Sequence, residues 1–241
     1  MKGVIIAGGL GTRLYPMTHA TNKHLLPVYD QPMVYYPIQT LVKAGVRDIM
    51  IVVGGPHAGD FLRVLKNGKE FGIRNLQFAY QDSGNAGISD ALGLAEDFVG
   101  EDDVTVILGD NTTDADITDG IKNFKRGSKV FLKKVPELER YGVPVFDKKD
   151  PKKIKTIEEK PKKPKSDYAV TGLYIFDNRC FSYIKDLKPS PRGQLEITDL
   201  INIYIKNGEI EWDELEGFWS DAGKPESLFN ASKFWASKKS D

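Results

Sequence analysis

Val4-Ile5-Ile6-Ala7-Gly8-Gly9-Leu10-Gly11-Thr12-Arg13-Leu14 decides how the rest of this chain is read. Four apolar residues make a buried strand, and a glycine cluster leaves it directly. Glycines let a backbone approach a ligand closely and turn its N–H groups toward an anion. Arg13 lies inside the loop, and Lys23 follows in Thr21-Asn22-Lys23-His24-Leu25-Leu26-Pro27. Two cations beside a glycine cradle suit a polyphosphate. An ordinary tight strand-to-helix turn would look the same from the loop alone. A dinucleotide fingerprint is excluded because Leu14 stands where its third glycine belongs. A Walker A loop is excluded because Gly11-Thr12-Arg13 does not close as Gly-Lys-Ser/Thr.

Outward from this loop, short apolar runs alternate with amphipathic stretches. Helices are expected over Tyr35–Val42, Asp60–Lys66 and Ile88–Phe98, and strands over Asp48–Val53, Asn75–Tyr80 and Val104–Leu108. That alternation implies right-handed βαβ units and a mostly parallel sheet covered on both faces. After Gly127 the pattern turns strand-rich: Lys129–Val135, Val143–Phe146, Ile154–Glu158 and Tyr168–Phe176, with Phe146–Pro151 as a hairpin tip. Helices return at Arg179–Lys185, Ile197–Asn207 and Pro225–Ala236. The expected architecture is α/β: a Rossmann-like three-layer αβα fold with a mostly parallel, mixed central sheet and a smaller β-rich lobe. No composition break marks a linker, so 1–241 is expected to be one domain, with halves 1–128 and 129–241.

With 34 Lys+Arg against 34 Asp+Glu, nothing points to a nucleic acid or a membrane surface as partner. One cysteine, Cys180, excludes an intramolecular disulfide framework and fits a reducing compartment. The start shows no signal-peptide pattern and no apolar run is long enough for a membrane span, so a cytoplasmic protein is expected.

Asp110 stands at the carboxyl end of the run Val104–Leu108, the edge where open α/β sheets bind ligands. It is either a local turn aspartate or a magnesium carboxylate. Asp221, in Trp219-Ser220-Asp221-Ala222-Gly223, is either a cap before the last helix or the second such carboxylate. Glu158-Glu159-Lys160-Pro161 closes a strand with adjacent opposite charges, and Tyr141-Gly142 and Thr171-Gly172-Leu173-Tyr174 set glycines beside aromatic rings.

Taken in order, Gly8 to Thr18, Lys23 to Pro37, Leu108-Gly109-Asp110-Asn111, Arg140 to Val143, Glu158 to Pro161, Tyr168 to Tyr174 and Lys188 to Asp199 resemble the signature of the sugar-1-phosphate nucleotidyltransferases. Within that family the resemblance is to the branch that loads thymidylate onto glucose 1-phosphate, and it runs over nearly the whole chain. It implies that Gly8, Gly11 and Arg13 hold a triphosphate, that Lys23 lies near the α-phosphate, and that Gln81 and Gly87 contact the base. It further implies that Asp110 and Asp221 hold Mg²⁺, that Tyr141, Gly142, Glu159, Val170 and Trp219 line a sugar site, and that Lys160 grips the sugar phosphate. Arg13, Lys23 and Lys160 would carry catalysis by charge compensation. The implied substrates are dTTP, or UTP, and glucose 1-phosphate or another sugar 1-phosphate. A homo-oligomer is compatible with the resemblance. His19, His24 and His57 are read as structural or surface residues.

Three departures stand against the family pattern. Gln81 to Ala91 lacks the usual Pro beside the glutamine, and Asp90 replaces an amide. Thr112-Thr113 stand where relatives place apolar or aromatic side chains. The chain ends at Asp241, where the longer relatives continue into further helices, so feedback control is not expected to carry over. A non-catalytic sensor of sugar nucleotides on the same fold is the reading of another class.

Overall fold

The computed structural model describes residues 1–82 and 86–239. The first half builds β1 (Lys2–Ala7), β2 (Pro27–Val28), β3 (Gln31–Pro32), α1 (Tyr35–Lys43), β4 (Asp48–Gly54) and α2 (Ala58–Leu65). It continues through β5 (Asn75–Gln81), α3 (Ile88–Gly93), α4 (Glu96–Val99), β6 (Val104–Leu108), β7 (Asn111–Thr113) and α5 (Thr118–Lys122). The second half adds β8 (Ser128–Lys134), β9 (Gly142–Phe146), β10 (Ile154–Glu159), β11 (Tyr168–Phe176), α6 (Cys180–Asp186) and α7 (Ile197–Lys206). β12 (Ile210–Glu214), β13 (Trp219–Asp221) and α8 (Pro225–Lys239) complete it.

Among the described residues, seven strands form one sheet in the order β12-β8-β11-β6-β1-β4-β5. β1 runs parallel to β4 and β6, β4 to β5, and β12 to β8, while β11 is antiparallel to both of its neighbours. The mixed, mostly parallel sheet expected from the sequence is therefore present, and β11 alone is reversed in it.

The apolar runs explain why both faces are covered. Side chains alternate across a strand, so a continuous run feeds two cores at once. Val4 and Ile6 pack with Met50, Val52, Phe181, Leu200 and Tyr204 under α6 and α7. Ile5 and Ala7 pack with Ile49, Ile51, Ile38, Leu41 and Phe61 under α1 and α2. A smaller third cluster, including Leu14, Val28, Tyr36 and Ala231, seats α8 against β2 and α1.

The short elements β2, β3, β7, α5, β12 and β13 were not expected from the sequence, and two expectations are corrected. The single helix expected over Ile88–Phe98 is two, α3 and α4, separated at Leu94–Ala95. Gly93 weakens the helix there, and Ala95 N closes a tight turn on the Leu92 carbonyl (2.9 Å). Asp221, read as a cap before the last helix or as a second magnesium carboxylate, is not a cap: it lies on β13, antiparallel to β7 and opposite Asn111. The expected hairpin tip is present: β9 and β10 pair antiparallel, and Asp147 N donates to the Lys153 carbonyl (2.8 Å).

β1, β4, β5 and β6 all end on one edge of the sheet, which places Gly8, Gly54, Gln81 and Asp110 together. The approach is tight. A Cβ on Gly54 would lie 2.9 Å from the Gly8 carbonyl, and one on Gly8 would lie 2.6 Å from Gln81 Oε1.

Candidate active site

Over this edge lies a cavity of about 570 Å³, floored by the strand ends and walled by β9, β10, the start of β11 and the loop before α7. Arg13, Lys23, Gln81, Gly87, Asp110, Tyr141, Gly142, Glu159, Lys160, Val170, Trp219 and Asp221 all line it. Of the residues singled out from the sequence, Gly8 and Gly11 are not on the wall. They shape the loop behind it. Gly11 has a left-handed backbone (φ 68°), and a Cβ there would press on Lys23 Cβ at 2.8 Å.

One end of the cavity is built from opposed charges. Lys23, on a single 3-10 turn, donates from Nζ to Asp110 Oδ2 at 2.6 Å, with both side chains nearly enclosed. Arg13, on the turn after the glycine loop, brings its guanidinium to the same place. A Cβ on Gly223 would lie 3.2 Å from Arg13 Nη2 and 3.5 Å from Asp110 Oδ2. β13 delivers Asp221, which accepts from Arg140 Nη2 (2.6 Å) and from the Tyr141 hydroxyl (3.0 Å). Asn111 holds this arrangement together. Its Oδ1 accepts from Trp219 Nε1 (2.7 Å) and Gly172 N (3.0 Å), and its Nδ2 donates to Asp110 Oδ1 (3.0 Å).

The two carboxylates titrate in opposite directions. Burial alone would raise the Asp110 carboxyl, but the Lys23 ammonium and its hydrogen bonds outweigh that and hold it well below the usual range. Asp221 is pushed above the usual carboxylate value, first by burial and then by the Asp110 charge, against the pull of Arg140. Two neighbouring carboxylates of which one resists ionisation are a demand for positive charge. Among the described residues, no three His, Cys, Asp or Glu converge as a closed metal cage. Two hard oxygen donors without a cage fit Mg²⁺, which takes one or two carboxylates and fills its shell with phosphate oxygens and water.

The lining carries a second cationic group. Arg192 Nη2 reaches Glu159 Oε1 (2.9 Å) and Glu196 Oε2 (2.8 Å), and Lys160 Nζ lies 3.2 Å from the same Glu159 oxygen. Lys160 has a left-handed backbone (φ 45°), held by its N–H on the Tyr141 carbonyl (3.0 Å). That conformation is uncommon for a residue with a Cβ and aims the side chain from the strand end. Thr198 Oγ1 and Arg140 Nε, both on residues lining the cavity, are buried and have no hydrogen-bond partner among the described residues. Buried polar atoms left this way are suited to a polar ligand.

A third region of the lining is set by Gln81 and Gly87. Gln81 Nε2 donates to the Gly87 carbonyl (3.1 Å) and to Asp90 Oδ2 (2.7 Å). Gly87 needs to be glycine: its φ is 106°, and a Cβ would collide with the Leu195 backbone. Ser83, Gly84 and Asn85 of the expected base-reading stretch lie outside the described residues.

Arg140, Asn111, Arg192 and Thr198 were not assigned roles from the sequence, although each stands inside or beside a quoted motif. Non-local contacts single out Arg140, Asn111 and Arg192, and a buried, unpartnered hydroxyl singles out Thr198; no local pattern carries either. His24, read from the sequence as a structural or surface residue, is buried with its ring on Asn22 Oδ1 (2.8 Å), and it also forms part of the cavity lining. Burial and the Lys23 charge push it down to about 3. It is neutral at physiological pH.

The nucleotidyl transferase family model matches residues 2–238. A glucose-1-phosphate thymidylyltransferase of Neisseria gonorrhoeae is 46% identical over 240 residues, covering 97% of this chain and 82% of that one. The enzyme of the same name from Xanthomonas campestris is 44% identical over 239 residues, covering 97% and 80%. A Bacillus anthracis structure, described as a glucose-1-phosphate thymidylyltransferase in complex with sucrose, superposes with a TM-score of 0.90. It shares 50% identity over 97% of this chain and 94% of that one. A UDP-glucose pyrophosphorylase complexed with UDP-glucose superposes with a TM-score of 0.84 at 25% identity, over 98% of both chains.

Proposed function

The chain belongs to the nucleotidyl transferase family, and on that premise we propose that it is a glucose-1-phosphate thymidylyltransferase. It joins dTTP and glucose 1-phosphate to give dTDP-glucose and pyrophosphate. The observation that carries this reading is one cavity holding Arg13, Lys23, Lys160 and Arg192 together with the carboxylate pair Asp110 and Asp221.

The reaction forms a bond between a phosphate oxygen of the sugar phosphate and the α-phosphorus, and breaks the bond from that phosphorus to the pyrophosphate oxygen. The attacking oxygen is already anionic, so no general base is required. Two anions have to meet, and the barrier lies in bringing them together in line. Arg13 and Lys23 receive the triphosphate above the loop shaped by Gly8 and Gly11. Lys160 and Arg192 draw in the sugar phosphate. Tyr141, Gly142, Glu159, Val170 and Trp219 surround the sugar, and Gln81 and Gly87 face the base. Asp110 and Asp221 would hold Mg²⁺, which supplies charge neutralisation across the phosphate oxygens when bound. The same proposal takes residues 1–241 as one working domain acting in the cytoplasm, and among the described residues no helix is long and apolar enough to cross a membrane.

The likeness to a UDP-glucose complex supports UTP as a second donor. Pyrophosphate release, measured with dTTP, UTP and dCTP against a panel of sugar 1-phosphates in the presence of Mg²⁺, tests both readings. Highest kcat/KM with dTTP and glucose 1-phosphate is expected. Highest kcat/KM with UTP transfers the assignment to the second reading, and no release with any pair overturns both.

A further inference from the structure

Asp90 stands where the relatives' pattern has an amide, and it does not line the cavity. Its carboxylate lies behind Gln81, which is itself buried and does form part of the lining. A glutamine amide has two N–H donors and one oxygen. Here both donors point at groups that only accept: the Gly87 carbonyl at 3.1 Å and Asp90 Oδ2 at 2.7 Å. Turning the amide over would set its oxygen against both of those oxygens, so the orientation is fixed by chemistry. Among the described residues, Oε1 is then the side-chain polar atom of Gln81 left for a ligand. It lies beside Gly8, where a Cβ would come within 2.6 Å of it, at the foot of the loop that precedes Arg13.

We propose that Asp90 is a positioning residue that locks the Gln81 amide with its oxygen toward the nucleotide base. Gln81 thereby selects a base that offers an N–H donor on its pairing edge. This rests on the reading of the Gln81 end as the base site. Thymine and uracil carry the imide N3–H and satisfy the oxygen. Cytosine in the same pose presents a bare N3 lone pair and leaves two acceptors face to face, and a site built to bond an N–H rejects an analogue lacking it. An amide at position 90 would not enforce this, because it can turn to present either a donor or an acceptor. The carboxylate works in one direction only.

Calorimetric titration of dTTP and of dCTP into the full chain with Mg²⁺, without the sugar phosphate, tests the lock independently of turnover. The intact chain is expected to bind dTTP at least about tenfold more tightly than dCTP. Asp90→Leu removes the acceptor at similar size, and the dTTP-to-dCTP affinity ratio should fall about tenfold. Asp90→Asn should lower it by a smaller factor, about threefold, and Asp90→Glu should restore most of it. A merely structural role would weaken both nucleotides equally and leave the ratio alone. An unchanged ratio in Asp90→Asn, and in Asp90→Leu where that variant folds, overturns the lock, as does an intact chain with no preference. Absence of pyrophosphate release would instead count against the proposed reaction.

Discussion

The two ends of the cavity solve recognition with different physics. At the end proposed to receive the phosphates, Lys23 faces Asp110 and Arg140 faces Asp221, each at 2.6 Å. At the end proposed for the base, one neutral amide is held by a carbonyl and a carboxylate. Opposed charges confer strength with little discrimination, since any polyphosphate meets the same cations. A directed amide contributes less binding, but it tells one base edge from another. The two ends should therefore fail differently when they are altered.

The largest effects are expected on turnover at the charged end. Lys160→Ala removes a half-exposed cation from the strand end, and Asp110→Asn removes a carboxylate proposed for Mg²⁺. Each should lower kcat/KM by roughly 100- to 1,000-fold, the scale for losing a preorganised charge contact. The Lys160 variant should keep its melting temperature. Turnover within threefold of the parent in both variants would remove the charge-compensation account.

Next in size is the stability cost of breaking the enclosed pair. Lys23→Met leaves Asp110 charged and buried without its ammonium, which should destabilise the fold by about 3–5 kcal/mol. Adding Asp110→Asn to Lys23→Met should recover a large part of that loss. Urea unfolding of the four proteins in the cycle gives the coupling directly, and additive losses would mean that the two side chains do not depend on each other.

A smaller effect follows from His24, whose folded pKa is about 3 against an ordinary 6.5. The unfolded chain binds this proton below pH 6.5 while the folded chain refuses it until about pH 3. The neutral ring's contribution is thus full above 6.5 and is lost as pH falls through that window. One proton costs about 1.4 kcal/mol per pH unit. Asp110 acts in the same sense lower down, where its stabilisation disappears as pH drops below the usual carboxylate value. Urea unfolding at pH 7, 6 and 5 should show the decline, and His24→Gln should flatten it. An identical slope in the variant would take His24 out of the account.

The same contrast explains what could be read from the sequence. Strand ends beside glycines were legible, because an apolar run followed by Gly8-Gly9 or by Gly109-Asp110 is a local pattern. β12 was not. Ile210-Glu211-Trp212-Asp213-Glu214 carries three acids and looks like a loop, yet it pairs along β8 because the nearly buried Lys129 reaches Glu211 (3.3 Å) and Asp213 (3.1 Å). Asp221 was legible as a candidate and not as a strand residue, because its partner strand β7 is distant in sequence. Arg192 lay in a quoted motif, but only the fold brings it to Glu159, which comes 33 residues earlier. The orientation of Gln81 needed the positions of Gly87 and Asp90 together.

Salt should separate the two ends with the smallest effect and the cleanest sign. Lys160 and Arg192 keep 44% and 42% of their side-chain surface exposed, so ions in solution can reach them. Lys23 and Asp110 are nearly enclosed, at 12% and 11%, and are screened far less. Raising the salt from about 0.1 M to about 1 M shortens the screening length from about 10 Å to about 3 Å. The KM for glucose 1-phosphate should then rise by about threefold or more, as the half-exposed cations lose their reach. The kcat/KM ratio of dTTP to dCTP should stay within about twofold, because the Gln81–Asp90 contact lies at hydrogen-bond distance, inside any screening length. A ratio that falls in step with the rise in KM would mean that base choice also depends on long-range charge. The division between a charged end and a directed end would then be wrong.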